Sequence, residues 1–312
     1  MKKSTHALIV VAVALLLTAC VASGSSKTPE INNPYILKAK NHTSNGIEAM
    51  QQERWNAAER SFSRALNASQ LADDTRLIAH SWYNLATAYS GANNLTKAAA
   101  AYGQAAELAQ RNHDEVMHLR ALLAMRLVQQ RTEQLPAKFS LQQLPQTLFS
   151  KRIWPSDLHL QAGRLAQRLG HPVLAKSAYG LVISLKEHDR NSLKLKAEAH
   201  MGLALLARDA GTTQTAWSEA EQALLYCRKI GAPRLTAHAL LLQGELPHGN
   251  RTEQQDKLER ALDIYNALND PHGEKKVLIH LLRQAEAAAD NSAATLHRLR
   301  LKDIEDKLGE QH

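Results

Sequence analysis

Aromatic side chains are scarce in this chain, at 4 % of 312 residues, whereas Ala, Leu, Gln, Arg and Lys abound. That balance disfavours a β-rich core and favours helices packed closely over small residues. The length suffices for one large or two ordinary domains. Cysteine occurs only twice, at Cys20 and Cys227. Signatures of chemistry are missing as well. The 15 histidines include no His-Glu-x-x-His pair, and no Cys-x-x-Cys accompanies them. His113 and His118, five residues apart, would sit on different faces of a helix, so no protein-bound metal is expected. Neither a Gly-x-Ser-x-Gly elbow nor a phosphate-cradling glycine loop occurs. Asp73-Asp74 is explained by helix capping without catalysis. The sequence therefore argues against an enzyme and implies no cofactor.

Negative charge is in deficit: Lys and Arg exceed Asp and Glu by 8. These charges are scattered along helical stretches and read mainly as solvated faces. Outside the cell interior, such a surface suits phosphate-bearing lipids, acidic polymers or acidic protein faces better than nucleic acid.

The compartment is read from the start of the chain. Met1-Lys2-Lys3 is followed by an uncharged apolar run, Ala7 to Leu17, and the small pair Thr18-Ala19. This is the layout of a secretory signal peptide, spanning 1–19. The run is too short for a permanent span, which needs about 20 apolar residues. Its end, Leu17-Thr18-Ala19-Cys20, resembles the lipobox of bacterial lipoproteins. That resemblance implies a covalent lipid on Cys20, and hence no disulfide partner for Cys227. Position 21 is Val and not the Asp that tends to retain enteric-type lipoproteins at the inner membrane. The implied address is the outer membrane, lipid-anchored, on the periplasmic face. Two or three acyl chains, at about 0.8 kcal/mol per buried methylene, would hold the protein there essentially for good. Residues 20–34 then form a tether rich in Ser, Gly, Asn and Pro, too polar to offset its ordering entropy and reaching about 20 Å as a random coil.

Downstream, an internal repeat dominates. Trp82 to Leu108, "WYNLATAYSGANNLTKAAAAYGQAAEL", sets Trp82, Leu85, Ala86 and Tyr89 on one helix and Ala98, Tyr102 and Ala105 on the next. Small residues at 86, 98 and 105 let two antiparallel helices approach to roughly 8–10 Å, and the large ones fill the space around the crossing. An upstream copy carries Gly46, Trp55, Ala58, Phe62 and Ala65, with Ala58 placed 40 residues before Ala98. Downstream copies carry Gly163, Ala166, Gly170, Ala175 and Tyr179, then Leu203, Ala204, Gly211, Ala216, Ala220 and Ala223. Between Ala98 and Ala175, 77 residues apart, lies a degenerate unit. Its first helix covers Glu115 to Gln130, while Pro136, Pro145 and Pro155 limit 135–155 to short or broken helix. Two weaker pairs follow, Pro233–Leu246 with Glu253–Leu268 and Gly273–Ala289 with Ser292–Leu308, turned at Gly249-Asn250 in the first case.

This pattern resembles tetratricopeptide (TPR) repeat proteins over residues 35–308, although its period near 40 exceeds that family's 34. The resemblance implies an all-α, TPR-like α-solenoid of antiparallel helix pairs, coiled as a right-handed superhelix with a concave inner face and followed by a disordered tail at 309–312. Such grooves usually hold an extended peptide or a partner helix. Carried over residue by residue, the groove positions are Tyr83, Asn84 and Thr87, then Gln161, Arg164, Gln167 and Arg168, then Arg208. Asn84 stands where the family often uses an amide to bond a ligand backbone. Arg164 and Arg168, one turn apart, could grip a carboxylate or phosphate. The implied function is a lipid-anchored scaffold binding periplasmic or outer-membrane proteins; the alternative is a module binding peptidoglycan or acidic polysaccharide.

Overall fold

The computed structural model describes residues 33–309, apart from 53, 138, 187 and 188. The signal segment, Cys20 and all of the tether but its last two residues lie outside the described residues, as do 310–312. Among the described residues the secondary structure is helical, and no helix is long and apolar enough to cross a membrane.

The first pair is α1 (Pro34–Gln51) with α2 (Trp55–Leu71), and the second is α3 (Thr75–Gly91) with α4 (Leu95–Arg111). Next come α5 (Glu115–Arg131) and a short replacement for its partner, the single turn α6 (Thr147–Ser150). Three further pairs follow: α7 (Ser156–Arg168) with α8 (Pro172–Ile183), α9 (Arg190–Asp209) with α10 (Thr213–Lys229), and α11 (Pro233–Glu245) with α12 (Arg251–Ala267). The last pair is α13 (Pro271–Ala287) with α14 (Asn291–Gly309). Each pair packs on itself and on its neighbour, giving a TPR-like right-handed α-solenoid. The first helices start at residues 34, 75, 115, 156, 190, 233 and 271, so the long period holds across the irregular unit, and only the step from 156 to 190 shortens to the 34 of plain TPR repeats. Pro34 opens α1 and is not part of the tether: Asn33 caps that helix, and proline at its first turn removes no needed donor. At the other end, Gly309 closes α14.

One turn chemistry recurs between helices. A residue at positive φ ends one helix, and its successor caps the next. Asp73 (φ 52°) precedes Asp74, whose Oδ1 accepts from Leu77 N–H at 2.9 Å. Asn93 and Asn94, His113 and Asp114, and Asn269 and Asp270 repeat the arrangement. His113 therefore belongs to a turn, while His118 places Nδ1 2.9 Å from the Ala106 carbonyl.

The core is built on alanine. Ala58, Ala98, Ala175 and Ala216, at the matching repeat positions, are all fully buried, so backbones meet there at close range. Glycines on first helices receive large side chains from second helices. A Cβ at Gly46 would collide with Phe62, and one at Gly163 or at Gly202 would collide with Tyr179.

The proline-bearing segment is short, broken helix, as its prolines require, and it is packed into the core. Leu141, Leu144, Leu148 and Phe149 are buried, and α6 packs on α7 and α8, so the segment takes the place of the missing second helix. Trp154 donates its indole N–H to Thr147 Oγ1 at 2.8 Å, and His159 Nδ1 lies 2.7 Å from the Leu148 carbonyl. Arg120 on α5 grips both oxygens of Asp157 on α7 (2.7 and 3.2 Å), tying together the two helices that flank the gap.

Candidate functional site

A cavity of about 890 Å³ runs along the middle of the stack. Its walls come chiefly from the first helices α3, α5, α7, α9 and α11, with Tyr102, Tyr179 and Lys276 added from α4, α8 and α13. The apolar part comprises Ala124, Leu127 and Val128 of α5, Met201 and Leu205 of α9, and Leu241 and Leu242 of α11. It is large enough for a short extended segment and combines apolar surface with a few convergent polar groups, as binding clefts do.

Five of the eight groove residues expected from the sequence line this cavity: Tyr83, Gln161, Arg164, Gln167 and Arg168. Asn84, Thr87 and Arg208 do not. Thr87 serves the wall from behind, since its Oγ1 donates to the Tyr83 carbonyl at 2.9 Å and lies 3.1 Å from Tyr102 Oη. The Tyr83 and Tyr102 rings meet at 5.3 Å with a 57° tilt. Asn84 is half-buried one position away from Tyr83. Arg208 turns its guanidinium to Glu245 (3.0 Å) and Asp209 (3.0 Å), so it holds two lining carboxylates in place.

Arg164 and Arg168 do lie one turn apart on α7, yet they have different partners. Arg164 pairs with Glu198 of α9 at 2.8 Å. Arg168 reaches only the amide oxygen of Gln130, at 3.4 Å. Burial, then the like charges of Arg131 and Arg164, lower the pKa of Arg168 from its ordinary value, as expected for a cation lacking a counterion. Arg131, the last residue of α5, likewise reaches an amide, Asn93 Oδ1, at 3.2 Å. Among the described residues neither Arg131 nor Arg168 meets a carboxylate.

Further groups complete the wall, and of these only Gln161 was expected there from the sequence. Tyr179 donates to Gln167 Oε1 at 2.8 Å, and burial pushes its phenol up to about 12. Gln161 has a buried Oε1 with no partner. His238 is held neutral: burial first, then the Lys276 ammonium, push its pKa down to about 4. Glu245 also lies 3.0 Å from His280 Nε2 of α13. The recoverable signal for several of these is positional. Arg131, Arg168, Asp209 and Glu245 are each the last residue of a first helix, so the repeat frame aligns them.

Cys227 is fully buried in α10, where burial pushes its thiol up to about 12, so it is no nucleophile at neutral pH. Among the described residues no three His, Cys, Asp or Glu side chains gather as metal ligands.

No family model matches the sequence, and no curated protein matches it. Solved structures do resemble the fold. A Rap protein complexed with competence and sporulation factor is 12 % identical with a TM-score of 0.62, over 90 % of this chain and 78 % of that one. The apo quorum sensor NprR from B. thuringiensis is 14 % identical with a TM-score of 0.63, over 87 % of this chain and 77 % of that one. The apo form of RapI is 9 % identical with a TM-score of 0.50, over 99 % and 94 %. At such identities the likeness is one of fold.

Proposed function

We propose that this protein is a lipid-anchored, periplasm-facing helical-repeat scaffold that captures a segment of another envelope protein in its concave cavity. The carrying observation is the cavity itself: an open cleft walled by five successive first helices, part apolar and part charged. A fold neighbour, the Rap protein, was solved with competence and sporulation factor bound, which supports ligand capture by such a scaffold. The work is binding, without a bond-making step. The groups lining the cavity include no nucleophile poised against a base; its histidine is neutral and its phenols are held protonated. The anchor and address rest on Leu17 to Cys20 and Val21, with acylation at Cys20.

The apolar side of the cavity favours a protein segment over peptidoglycan or acidic polysaccharide, because sugars would leave Leu127, Met201 and Leu241 without apolar partners. Two measurements test the reading. Radiolabelled palmitate fed to the native host should label the full chain and fail to label Cys20→Ala; an unlabelled wild type removes the anchor. Capture from detergent-solubilised envelope should return defined proteins that survive muramidase treatment. Retention on purified sacculi alone favours the polymer module.

A further inference from the structure

Antiparallel pairing puts the start of every first helix and the end of every second helix on one edge of the stack. Asn33, where the segment from Cys20 enters α1, lies on that edge too. Charge is unevenly spread along it. With the last four residues of the second helix and the first five of the next first helix included, the first, second and last of the six connections hold two carboxylates and one cation each. Each of those cations meets a carboxylate: Arg76 meets Asp114 at 3.6 Å, Arg111 meets Glu107, and Lys275 meets Glu305 at 2.7 Å. The three connections in between, from α6–α7 to α10–α11, reverse the balance. Lys151, Lys186, Arg190, Lys194, Arg228 and Lys229 are exposed there, and none of them meets a carboxylate among the described residues. The carboxylates on the same stretch are occupied or lie outside the described residues: Arg120 holds Asp157, Asp189 caps α9 by accepting from Asn191 and Ser192 N–H, and Glu187 is not described. Two large aliphatic side chains stand out among these cations. Ile153 is 65 % exposed beside Lys151 and Arg152, and Leu225 is 58 % exposed with Arg228 and Lys229 three and four residues on, on the same helical face.

We propose that this stretch of the edge is a docking face for the anionic phospholipid headgroups of a bilayer, with Ile153 and Leu225 seated among them. A bilayer offers phosphates to cations spread over three successive repeats at once, which a small ligand does not. Each cation held near an anionic leaflet adds to binding, and aliphatic groups flanked by cations enter the boundary between headgroups and acyl chains. The course of the chain agrees with this. Cys20 stands 14 residues before Pro34, so a lipid on it would hold this edge, and not the opposite one, close to the leaflet. Docking would then orient the solenoid, with the starts of its first helices toward the lipid. The proposal extends the reading of the protein as membrane-anchored and is independent of what the cavity holds.

The test is co-sedimentation of vesicles with the mature chain, residues 20–312, carrying Cys20→Ser and so no acyl group. Its result is thereby separate from the palmitate labelling that tests the anchor. The chain should bind vesicles containing phosphatidylglycerol, ignore vesicles of phosphatidylcholine alone, and bind more weakly as salt rises. Lys151→Gln/Lys186→Gln/Lys229→Gln, with an unchanged helical spectrum, should bind about tenfold more weakly or less well still. Arg60→Gln/Lys97→Gln/Lys176→Gln removes the same charge near the starts of second helices, at the opposite edge, and should bind as the wild type does. Ile153→Ser/Leu225→Ser should also weaken binding. Failure to bind phosphatidylglycerol vesicles, equal binding to neutral ones, or equal loss in the two triple variants overturns the docking face. Retention on immobilised polyglutamate as strong as on the vesicles assigns the edge to an acidic polymer and overturns the lipid as its occupant.

Discussion

Tyr179 shows how single residues hold the cavity open. Its ring lies between Gly163 of α7 and Gly202 of α9, and its hydroxyl reaches Gln167. Gly163 is part of the repeat pattern in the sequence, but Gly202 is not, because its partner comes from the preceding unit. Gly202→Ala gains helix propensity of up to about 1 kcal/mol and forces a methyl into the ring, where overpacking costs about 1–3 kcal/mol. The expected outcome is a net loss of stability, read as a lower midpoint in urea unfolding. His238 gives a second expectation. Its folded pKa, about 4, lies below the unfolded value near 6.5, so the unfolded chain binds the extra proton first. This contribution to stability is complete above pH 6.5 and is lost as pH falls through 4, at up to about 1.4 kcal/mol per pH unit. His80 and His297 are shifted the same way by burial. Comparing urea midpoints between pH 7 and pH 4 should show a shallower decline in His238→Gln than in the wild type; parallel curves would contradict the assignment.

Among the elements, the third unit separates what the sequence disclosed from what it hid. The prolines show that a full second helix cannot form, a local constraint legible in 135–155. What replaces the helix is not legible, since Leu141, Leu144, Leu148 and Phe149 keep a helical spacing that Pro145 interrupts, and their packing on α5, α7 and α8 arises only in the folded stack. Phe149→Ala, at a buried site, should cost about 3–5 kcal/mol and loosen the α6 turn. Accelerated proteolytic cleavage within 135–155 would report it, and an unchanged cleavage rate would mean that the segment is not part of the core. The regular pairs were far easier to read. Alanines at a period near 40 mark the crossings, and Asp, Asn and Gly mark the turns, because close approach and left-handed backbone each demand particular residue types.

For the whole molecule, the solenoid turns positions distant in sequence into one surface. Tyr83, Gln161, Arg164, Gln167 and Arg168 were reachable from the groove positions of the repeat frame, and Arg131 and Glu245 from their place at the ends of first helices, whereas His238 joins the cavity only through the curvature of the stack. Asn84 and Arg208 fall outside it for the same reason: a frame names the helix face, and the superhelix decides which residues on that face converge. Capture of a protein segment inside this cavity is the central claim. The most direct measurement is photocrosslinking in the native host, with a photoreactive side chain replacing Tyr83 and, as control, the exposed Lys176 of α8. A discrete protein adduct at position 83 that is absent at 176 is the predicted result. Equal crosslinking at both positions, or no protein adduct at 83, would contradict it.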